Sequence, residues 1–283
     1  MLLSLLCFII VSYNVENLFS PQDSSEQHVN YSRYYKKVDN IARVLTNIGE
    51  WEGVDVVGVQ EVENAEVVKR LCYTLRRREY DFVHYESPDR RGIDVALIYK
   101  KSRVDTIRTR ALKVDLEFAI NGGYETTRDI LYVCTRVDKR DTIHFFVCHL
   151  PSQRGGKAET EWKRKIAKEV LQRAVDSVFT VQPNAKIVVM GDMNSEEIKL
   201  NGLTDKKTKG EGTHKYQGRW SFLDHFYVSP SLDSLSHARV YDAEWIMETD
   251  EKYLGLRPKR TYNGFTYQNG FSDHLPIILN IAL

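Results

Sequence analysis

The chain has 283 residues, of which 42% are hydrophobic and 28% charged, and its formal charge is +1 from 40 basic and 39 acidic residues. This composition is ordinary for a soluble protein, and the length is enough to bury a substantial core. The balanced charge excludes a global electrostatic attraction to nucleic acid or membranes, and only a local basic face is left open.

The apolar N-terminal segment, residues 1–19, has two interpretations. It is as apolar as the core of an export signal, but it lacks a basic start and a small-residue cleavage site, and it is too short to span a bilayer comfortably. Because it continues without a break into "SYNVENLF", we interpret its later part as the first core strand. We therefore expect no stable membrane span and favour a cytoplasmic location; a remnant signal would instead indicate an exported or periplasmic protein.

The following elements are predicted from hydrophobic periodicity. An amphipathic helix is expected at 34–49, ending at Gly49, and a second at 64–75 with Asn64 as its N-cap. A short buried strand at 54–62 separates them. Strand patterns then dominate, interrupted by one long helix at 157–179. The remaining predicted strands lie at 81–86, 94–100, 129–137, 142–150, 186–192, 221–229, 237–245 and 275–283.

The order of these elements indicates the fold class. Strands outnumber helices, and the helices are set apart rather than alternating strictly with strands. Two packed mixed β-sheets flanked by helices, a four-layer α/β sandwich of the α+β class, fit this pattern best. No repeat or linker divides the sequence, so we expect one domain over 1–283.

The four cysteines, Cys7, Cys72, Cys134 and Cys148, show no CxxC or Cys/His spacing. This pattern does not indicate a zinc site. Three of them lie in apolar, strand-like segments, where a free thiol behaves as a small hydrophobic group. We expect them to be reduced and structural.

Polar residues stand at the ends of several predicted strands. Each has a structural explanation when taken alone: Gly-Asp-x-Asn commonly forms a turn, and a lone histidine is often structural. Their recurrence at strand ends instead indicates a functional site, because sites are built on loops that a rigid scaffold holds. These residues are Asn14, Glu16, Glu61, His149, Asp192, Asn194, Asp224, Asp273 and His274.

The residue types indicate the chemistry. Carboxylates without cysteine or histidine-rich clusters favour Mg²⁺ or Mn²⁺ over zinc. A hard cation together with two histidines and amide donors suits the attack of water on a phosphoester. The sequence contains no phosphate-binding GxxxxGK[ST] loop, no GxGxxG after a strand, no GxSxG and no HExxH.

A family resemblance follows from the motifs "YNVENLF", "GVQEVEN", "RGIDVALIY", "TTRDILYV", "CHLPSQRGG", "GDMNSE", "FLDHFYVS" and "RTYNGFTYQNGFSDHLP". Their order, from about Tyr13 to the C-terminus, resembles the endonuclease/exonuclease/phosphatase superfamily of the DNase I-like fold, in particular its uncharacterised bacterial branch. The resemblance is specific for the fold. It is less specific for the substrate, because the superfamily includes nucleases, deadenylases, inositol-polyphosphate phosphatases and sphingomyelinases.

The resemblance implies a metal centre. Glu61 resembles the principal ligand of a divalent cation, Mg²⁺ or Mn²⁺. Asn14 resembles the residue that contacts this carboxylate or the phosphate. Asp273 resembles an acid that helps to hold the metal through water, and Glu16 takes the place of an acid sometimes found around it.

The resemblance also implies catalytic roles. His274 resembles the histidine that contacts the scissile phosphate, with Asp224 orienting its ring. Asp192 and Asn194 resemble the pair that aligns water and steadies the phosphate. Either His274 or Asp192 is then the base. His149 resembles the second histidine of the nuclease and lipase-like branches, an acid for the leaving oxygen, and it argues against the abasic-site-repair branch.

Two arginines are candidates for binding the substrate. Arg128 resembles the family arginine that reaches towards phosphate or, alternatively, braces the site. Arg154 is the weaker candidate, although its glycine neighbours would let the backbone approach a phosphate.

Three functions are compatible with these features. We favour a metal-dependent phosphodiesterase that cleaves nucleic acid; the alternative is a phosphatase or phosphodiesterase acting on inositol-phosphate or phospholipid headgroups. A binding module without activity is the weakest, because every position that the chemistry needs is filled. No feature indicates a protein partner, and we expect a monomer. The local hints of nucleic-acid contact are Arg76–Arg78, Arg90, Arg91, Tyr262, Phe265 and Tyr267.

Overall fold

The computed structural model of the protein describes residues 7–21, 30–75, 79–116, 125–264 and 266–283. The first half contains β1 (Cys7–Leu18), α1 (Tyr31–Gly49), β2 (Val56–Val62), α2 (Ala65–Leu75), β3 (Tyr80–His84), β4 (Asp94–Lys100), β5 (Val104–Leu112), β6 (Ile130–Val137), β7 (Asp141–His149) and α3 (Lys157–Val181). The second half contains β8 (Lys186–Asp192), β9 (Thr204–Asp205), β10 (His214–Tyr216), β11 (Arg219–Ser221), β12 (Asp224–Val228), α4 (Pro230–Asp233), β13 (Ser236–Val240), β14 (Met247–Thr249), β15 (Leu256–Pro258), β16 (Tyr262–Asn263), β17 (Thr266–Tyr267) and β18 (Ile277–Ala282), with a 3₁₀ helix at Glu244–Ile246.

Two six-stranded sheets form the centre of the molecule. The strand order is β13-β18-β1-β2-β4-β3 in the first sheet and β5-β6-β7-β8-β12-β9 in the second. Both sheets are mixed, because β1 and β2 run parallel, as do β7 and β8, while their other neighbours are antiparallel. The predicted pair of mixed sheets is confirmed. That the chain is a single domain stays a prediction.

The layers are held together by two apolar cores. The larger core lies between the sheets, where Ile10 and Leu97 of the first sheet face Phe145 and Val188 of the second, and it continues to the outer face of the first sheet, which α1 covers. The smaller core lies between α3 and the outer face of the second sheet, where Leu171 is fully buried. Helices therefore cover the outer faces, which completes the predicted sandwich.

The first helix shows how local sequence sets an element. Val38, Ile41 and Leu45 are buried, as their helical spacing predicts. The Asn30 side chain accepts a hydrogen bond from the Arg33 N–H at 2.9 Å and so caps the helix. The helix therefore begins three residues before the predicted start, because the cap precedes the apolar pattern.

Several strands differ from the sequence prediction. Strand β5 was not predicted, because it is an edge strand in which most side chains are exposed and no apolar alternation marks it. The predicted strand 221–229 is divided between β11 and β12, and the predicted 237–245 ends in a 3₁₀ helix.

Strand register brings the polar strand ends together. His149 pairs with Asp192 at the end of the β7–β8 ladder, and Asp192 pairs with Asp224 in the β8–β12 ladder. These three residues therefore stand side by side on adjacent strands of the second sheet. In the first sheet, Asn14 pairs with Gln60, the residue before Glu61.

The expectations about a membrane span and about the cysteines can be compared with the structure. Among the described residues, no helix is both long enough and apolar enough to cross a membrane. All four cysteines are free; Cys7 is exposed and the other three are buried.

Candidate active site

One oxygen of Asp192 lies at the centre of the site. Asp192 Oδ2 accepts a hydrogen bond from the Asn14 side-chain amide at 3.1 Å. The same oxygen lies 3.6 Å from His149 Nε2 and 3.8 Å from His274 Nε2. Asp192 Oδ1 accepts a hydrogen bond from the Asn194 N–H at 2.8 Å, which closes the Asp-x-Asn turn. This turn holds the carboxylate between the two imidazole rings.

A second carboxylate orients His274. Its Nδ1 lies 2.8 Å from Asp224 Oδ2, and both side chains are buried. The ring is also placed by its backbone, since the His274 N–H donates to Ser272 Oγ at 3.1 Å. Burial alone would lower the pKa of His274, but the carboxylates of Asp224 and Asp192 raise it well above its usual value. His274 is therefore a cation at neutral pH.

The pKa of the Asp192 carboxyl is shifted towards neutral pH. Burial raises its pKa to about 7; nearby His274 lowers it and Asp224 raises it. A carboxylate with such a pKa can accept a proton at neutral pH more readily than an ordinary aspartate.

His149 has the opposite protonation state from His274. Burial, followed by the nearby cations Arg128, Arg91 and His274, places the pKa of His149 well below its usual value. Its Nε2 lies 3.8 Å from Glu61 Oε1, whereas its Nδ1 has no hydrogen-bond partner among the described residues. His149 is therefore a neutral imidazole.

Glu61 is aimed into the site by an irregular strand end. Its backbone is left-handed, with φ 65°, at a register shift between β2 and β4. Such irregularities redirect a side chain at the edge of a site. The Asn17 N–H donates to Glu61 Oε2 at 2.9 Å, and Arg91 Nη2 lies 3.4 Å from Oε1.

Glu16 and Asp273 both contact the guanidinium group of Arg260. Arg260 lies 3.4 Å from Glu16 through Nε and 2.8 Å from Asp273 through Nη2. Glu16 Oε2 also accepts a hydrogen bond from the Thr261 N–H at 2.6 Å. Burial and the Asp273 carboxylate raise the pKa of Glu16 to about 7. Behind these acids, the buried Lys37 Nζ donates to the Glu16 backbone carbonyl.

The donor set suits a hard cation. Glu61, Asp273 and Glu16 offer only carboxylate oxygens, the ligands that Mg²⁺ and Mn²⁺ prefer. Glu61 Oε1 lies between the side chains of Arg91 and His149, at 3.4 and 3.8 Å. Glu16 is the least available, because its two oxygens accept hydrogen bonds from Arg260 and from the Thr261 and Tyr262 N–H groups. Their roles as ligands stay predictions.

Arg128 lies behind the site. Its guanidinium donates to the carbonyls of His149 at 3.2 Å and Leu150 at 2.9 Å, and to Asp89 Oδ2 at 2.9 Å. The bracing alternative therefore fits this geometry better than contact with a phosphate. Asn194 also faces this segment, since its side-chain amide donates to the Leu150 carbonyl at 2.9 Å.

Arg154 is set apart from the other candidates. It lies in an exposed turn where its backbone N–H donates to Ser152 Oγ at 3.4 Å. Within the described residues, no contact of its side chain links it to the site. The candidates Arg76–Arg78 and Phe265 lie outside the described residues.

Sequence reasoning missed several groups around the site. The His214 ring lies 4.7 Å from the His274 ring, and its Nε2 is 4.0 Å from Asp273. Burial and the neighbouring His274 lower the pKa of His214 to about 4. Arg260 begins the motif "RTYNGFTYQNGFSDHLP" but was not chosen as a site residue. Lys37 stands among the apolar residues of the buried face of α1, where a lysine is unusual.

Comparisons with known proteins place this geometry in context. The family model described as "Endonuclease/Exonuclease/phosphatase family" matches residues 9–205 and 196–283. No curated protein matches the sequence. Truncated TDP2 of Caenorhabditis elegans has a TM-score of 0.63 at 14% identity, covering 98% of each chain. A mannosyl-6-phosphatase of Bacteroides thetaiotaomicron has a TM-score of 0.62 at 16% identity, covering 98% of this chain and 100% of that one.

A third similar structure is the endonuclease/exonuclease/phosphatase of Bacteroides vulgatus, with a TM-score of 0.63 at 16% identity, covering 98% of this chain and 99% of that one. At these identities the likeness establishes the fold. It is the DNase I-like sandwich expected from the sequence motifs.

Proposed function

The chain belongs to the endonuclease/exonuclease/phosphatase family, and from this premise we propose that it is a divalent-metal-dependent phosphodiesterase acting on nucleic acid. The observation that carries the proposal is the position of Asp192 Oδ2 between the Nε2 atoms of His149 and His274, at 3.6 and 3.8 Å. A carboxylate between a neutral and a cationic imidazole suits the hydrolysis of a phosphoester. The coarser assignment, a hydrolase of phosphoesters, rests on the family.

Asp192 and His274 have complementary roles. Asp192, with its pKa near 7, accepts the proton of the attacking water. His274 is held as a cation by Asp224 and donates a hydrogen bond to a phosphoryl oxygen, where negative charge develops. This assigns the base to Asp192 rather than to His274, because a histidine that is already protonated cannot accept the proton.

His149 acts as a neutral donor in this proposal. Its Nε2 faces two carboxylates, which favours the tautomer with the proton on Nε2. We therefore assign His149 a hydrogen bond to the substrate oxygens rather than the role of acid for the leaving oxygen that the resemblance implied. Asn14, which already donates to Asp192, helps to hold that carboxylate in place.

Glu61, with Asp273 and Glu16 nearby, would hold Mg²⁺ or Mn²⁺. When bound, such a cation offsets the charge of the phosphoryl oxygens. Arg91 contacts Glu61 and Arg260 contacts Asp273, so these guanidinium groups neutralise the same carboxylates in the structure described here.

The preference for nucleic acid is supported by an aromatic hairpin at the site. Strands β16 and β17 place the Tyr262 and Tyr267 rings 5.5 Å apart, and the Arg33 guanidinium lies 5.0 Å from the Tyr267 ring. The hairpin adjoins the acids, because the Tyr262 N–H lies 3.4 Å from Glu16 Oε1. Aromatic rings beside arginines can stack on nucleobases while binding the phosphate backbone.

The alternative is a phosphatase or phosphodiesterase for inositol-phosphate or phospholipid headgroups. The near-neutral net charge is compatible with it, because such a charge suits a small substrate as well as a nucleic acid. The structurally similar mannosyl-6-phosphatase also justifies testing sugar phosphates.

A parallel assay in Mg²⁺ distinguishes these substrates. Single- and double-stranded DNA, RNA, bis-p-nitrophenyl phosphate, inositol phosphates, sphingomyelin and mannose 6-phosphate are incubated with the wild type and with Asp192→Asn. We expect cleavage of nucleic acid and of the diester by the wild type alone. Turnover of only the inositol, lipid or sugar compounds would promote the alternative, and no turnover of any substrate would contradict both.

A further inference from the structure

A cluster of metal-binding side chains lies outside the candidate active site. His84 ends β3, Asp94 begins β4, and Glu86 stands in the loop 85–93 that connects the two strands. Each residue offers one ligand atom, and these atoms all lie within 4.8 Å of one another. His84 Nε2 is 3.3 Å from Asp94 Oδ2, and Nδ1 is 3.9 Å from Glu86 Oε1.

The imidazole of His84 has an unsatisfied polar atom. Its side chain is only 3% exposed, yet Nε2 makes no hydrogen bond to any described residue. Asp94 is also 3% exposed, and its Oδ1 is occupied by the N–H and the hydroxyl of Ser87. The other oxygen, Oδ2, faces His84 Nε2. Buried polar atoms are almost always paired, so this arrangement points to a ligand that the two side chains share.

We propose that His84, Glu86 and Asp94 form a second divalent-metal site, which takes a nitrogen-preferring first-row cation such as Zn²⁺. One imidazole and two carboxylates suit Zn²⁺ better than Mg²⁺, which avoids nitrogen ligands. Ligands about 2.1 Å from a tetrahedral metal lie about 3.4 Å from each other. The 3.3 Å between His84 Nε2 and Asp94 Oδ2 already matches this separation.

Glu86 completes the site by a side-chain movement. Its side chain is 69% exposed, so it is free to turn towards the metal at little cost in packing. The three residues supply three ligands and leave a fourth tetrahedral position for water.

The position of the site gives it a structural role. Loop 85–93 also carries Asp89, which contacts Arg128, and Arg91, which contacts Glu61. A cation that joins the start of this loop to β4 would restrict the loop that reaches both residues. The second site would therefore steady the candidate active site without taking part in its chemistry.

Zn²⁺ binding tests the proposal directly. Calorimetric titration with Zn²⁺ is performed in excess Mg²⁺, which competes for the carboxylates Glu61, Asp273 and Glu16 of the candidate active site. We expect His84→Asn and Glu86→Gln to weaken this Zn²⁺ binding at least about tenfold, the scale on which ligand-shell changes act. The matched control is His237→Asn, which changes an exposed histidine on β13 and should bind Zn²⁺ like the wild type.

Thermal unfolding provides a second measurement. Zn²⁺ should raise the Tm of the wild type and of His237→Asn by more than that of Glu86→Gln, because stabilisation follows the affinity of the folded state for the cation. Glu86 is exposed, so Glu86→Gln decides the question if His84→Asn does not fold. Equal Zn²⁺ affinity in the wild type and Glu86→Gln, or a wild type that does not bind Zn²⁺, overturns the proposal.

Discussion

His274 and His149 are both buried at the candidate active site, yet their pKa values are shifted in opposite directions. His274 has Asp224 on its Nδ1 side and Asp192 on its Nε2 side, and its pKa is raised. His149 shares Asp192 through Nε2, but its Nδ1 has no partner among the described residues and its pKa is lowered. The pKa values diverge because Asp224 and Asp192 outweigh burial at His274, whereas burial and the nearby cations Arg128 and Arg91 act together at His149.

Replacing His274 should remove turnover. His274→Ala deletes the proposed cationic donor, and the loss of such a group typically costs on the order of 10²–10⁴-fold in rate. Steady-state kinetics measure the loss, while circular dichroism confirms that the fold is kept. The exposed His237→Ala serves as the control. A His274→Ala variant that retains more than about a tenth of the wild-type rate would show that the assigned role is wrong.

The pH dependence of kcat/KM should follow the protonation of Asp192 and His274, and Asp224 should influence both. In the wild type, kcat/KM should rise through about pH 7 as Asp192 loses its proton and fall at higher pH, where His274 loses its own. Asp224→Asn removes a charge that raises both pKa values, so both limbs of the profile should move to lower pH. An alkaline limb that stays in place would contradict this assignment.

Arg128 and Arg154 should contribute very differently to the free energy of unfolding. Arg128 and Asp89 are each 7% exposed, and removing one partner leaves a buried charge unpaired. Arg128→Ala should therefore lower the free energy of unfolding by about 3–5 kcal/mol. Arg154→Ala, in an exposed turn, should change it by less than about 0.5 kcal/mol. Urea denaturation measures both, and equal losses would exclude the bracing role.

At the scale of elements, Gly191 permits β7 and β8 to meet beside the site. Its φ is 141°, and a Cβ at this position would lie 1.9 Å from the Cys148 carbonyl oxygen. Cys148 and Gly191 are paired in the ladder immediately before His149 and Asp192. The absence of a side chain here therefore lets the two catalytic candidates stand side by side.

A matched pair of glycine variants separates this contact from backbone strain. Gly210 has a similar φ of 132°, but a Cβ added there would meet no described atom within 4 Å. Gly191→Ala should therefore lower the free energy of unfolding by about 1–3 kcal/mol more than Gly210→Ala, because only the former overpacks the sheet. Urea denaturation of both variants checks this difference; equal losses would mean that the close approach is unimportant.

Elements were predictable where their side chains are buried. Strand β8 is buried along six of its seven residues, and its apolar run is visible in the sequence. Strand β5 is an edge strand with mostly exposed side chains, so its pairing with β6 depends on backbone hydrogen bonds that carry no side-chain pattern. For the same reason α1 was predicted from its buried apolar face, whereas its N-cap at Asn30, an exposed polar residue outside that pattern, was not.

At the scale of the whole molecule, metal dependence is the main expectation. Excess EDTA should abolish phosphoesterase activity, and Mg²⁺ should restore it, because the acids around Glu61 need a cation to offset phosphate charge. The far-UV circular dichroism should not change, since the core between the sheets is apolar. Full activity in excess EDTA would contradict the proposed mechanism.

The sequence by itself determined the buried helices and strands, the class of fold and the chemical types at the strand ends, because side-chain periodicity is local and directly reflects burial. Only the tertiary structure decided which charges meet. Thr261 reaches Glu16 across 245 positions, and Arg260 joins Glu16 to Asp273. Proton affinity depends on burial and on distances in space, and these exist only after the two sheets have stacked.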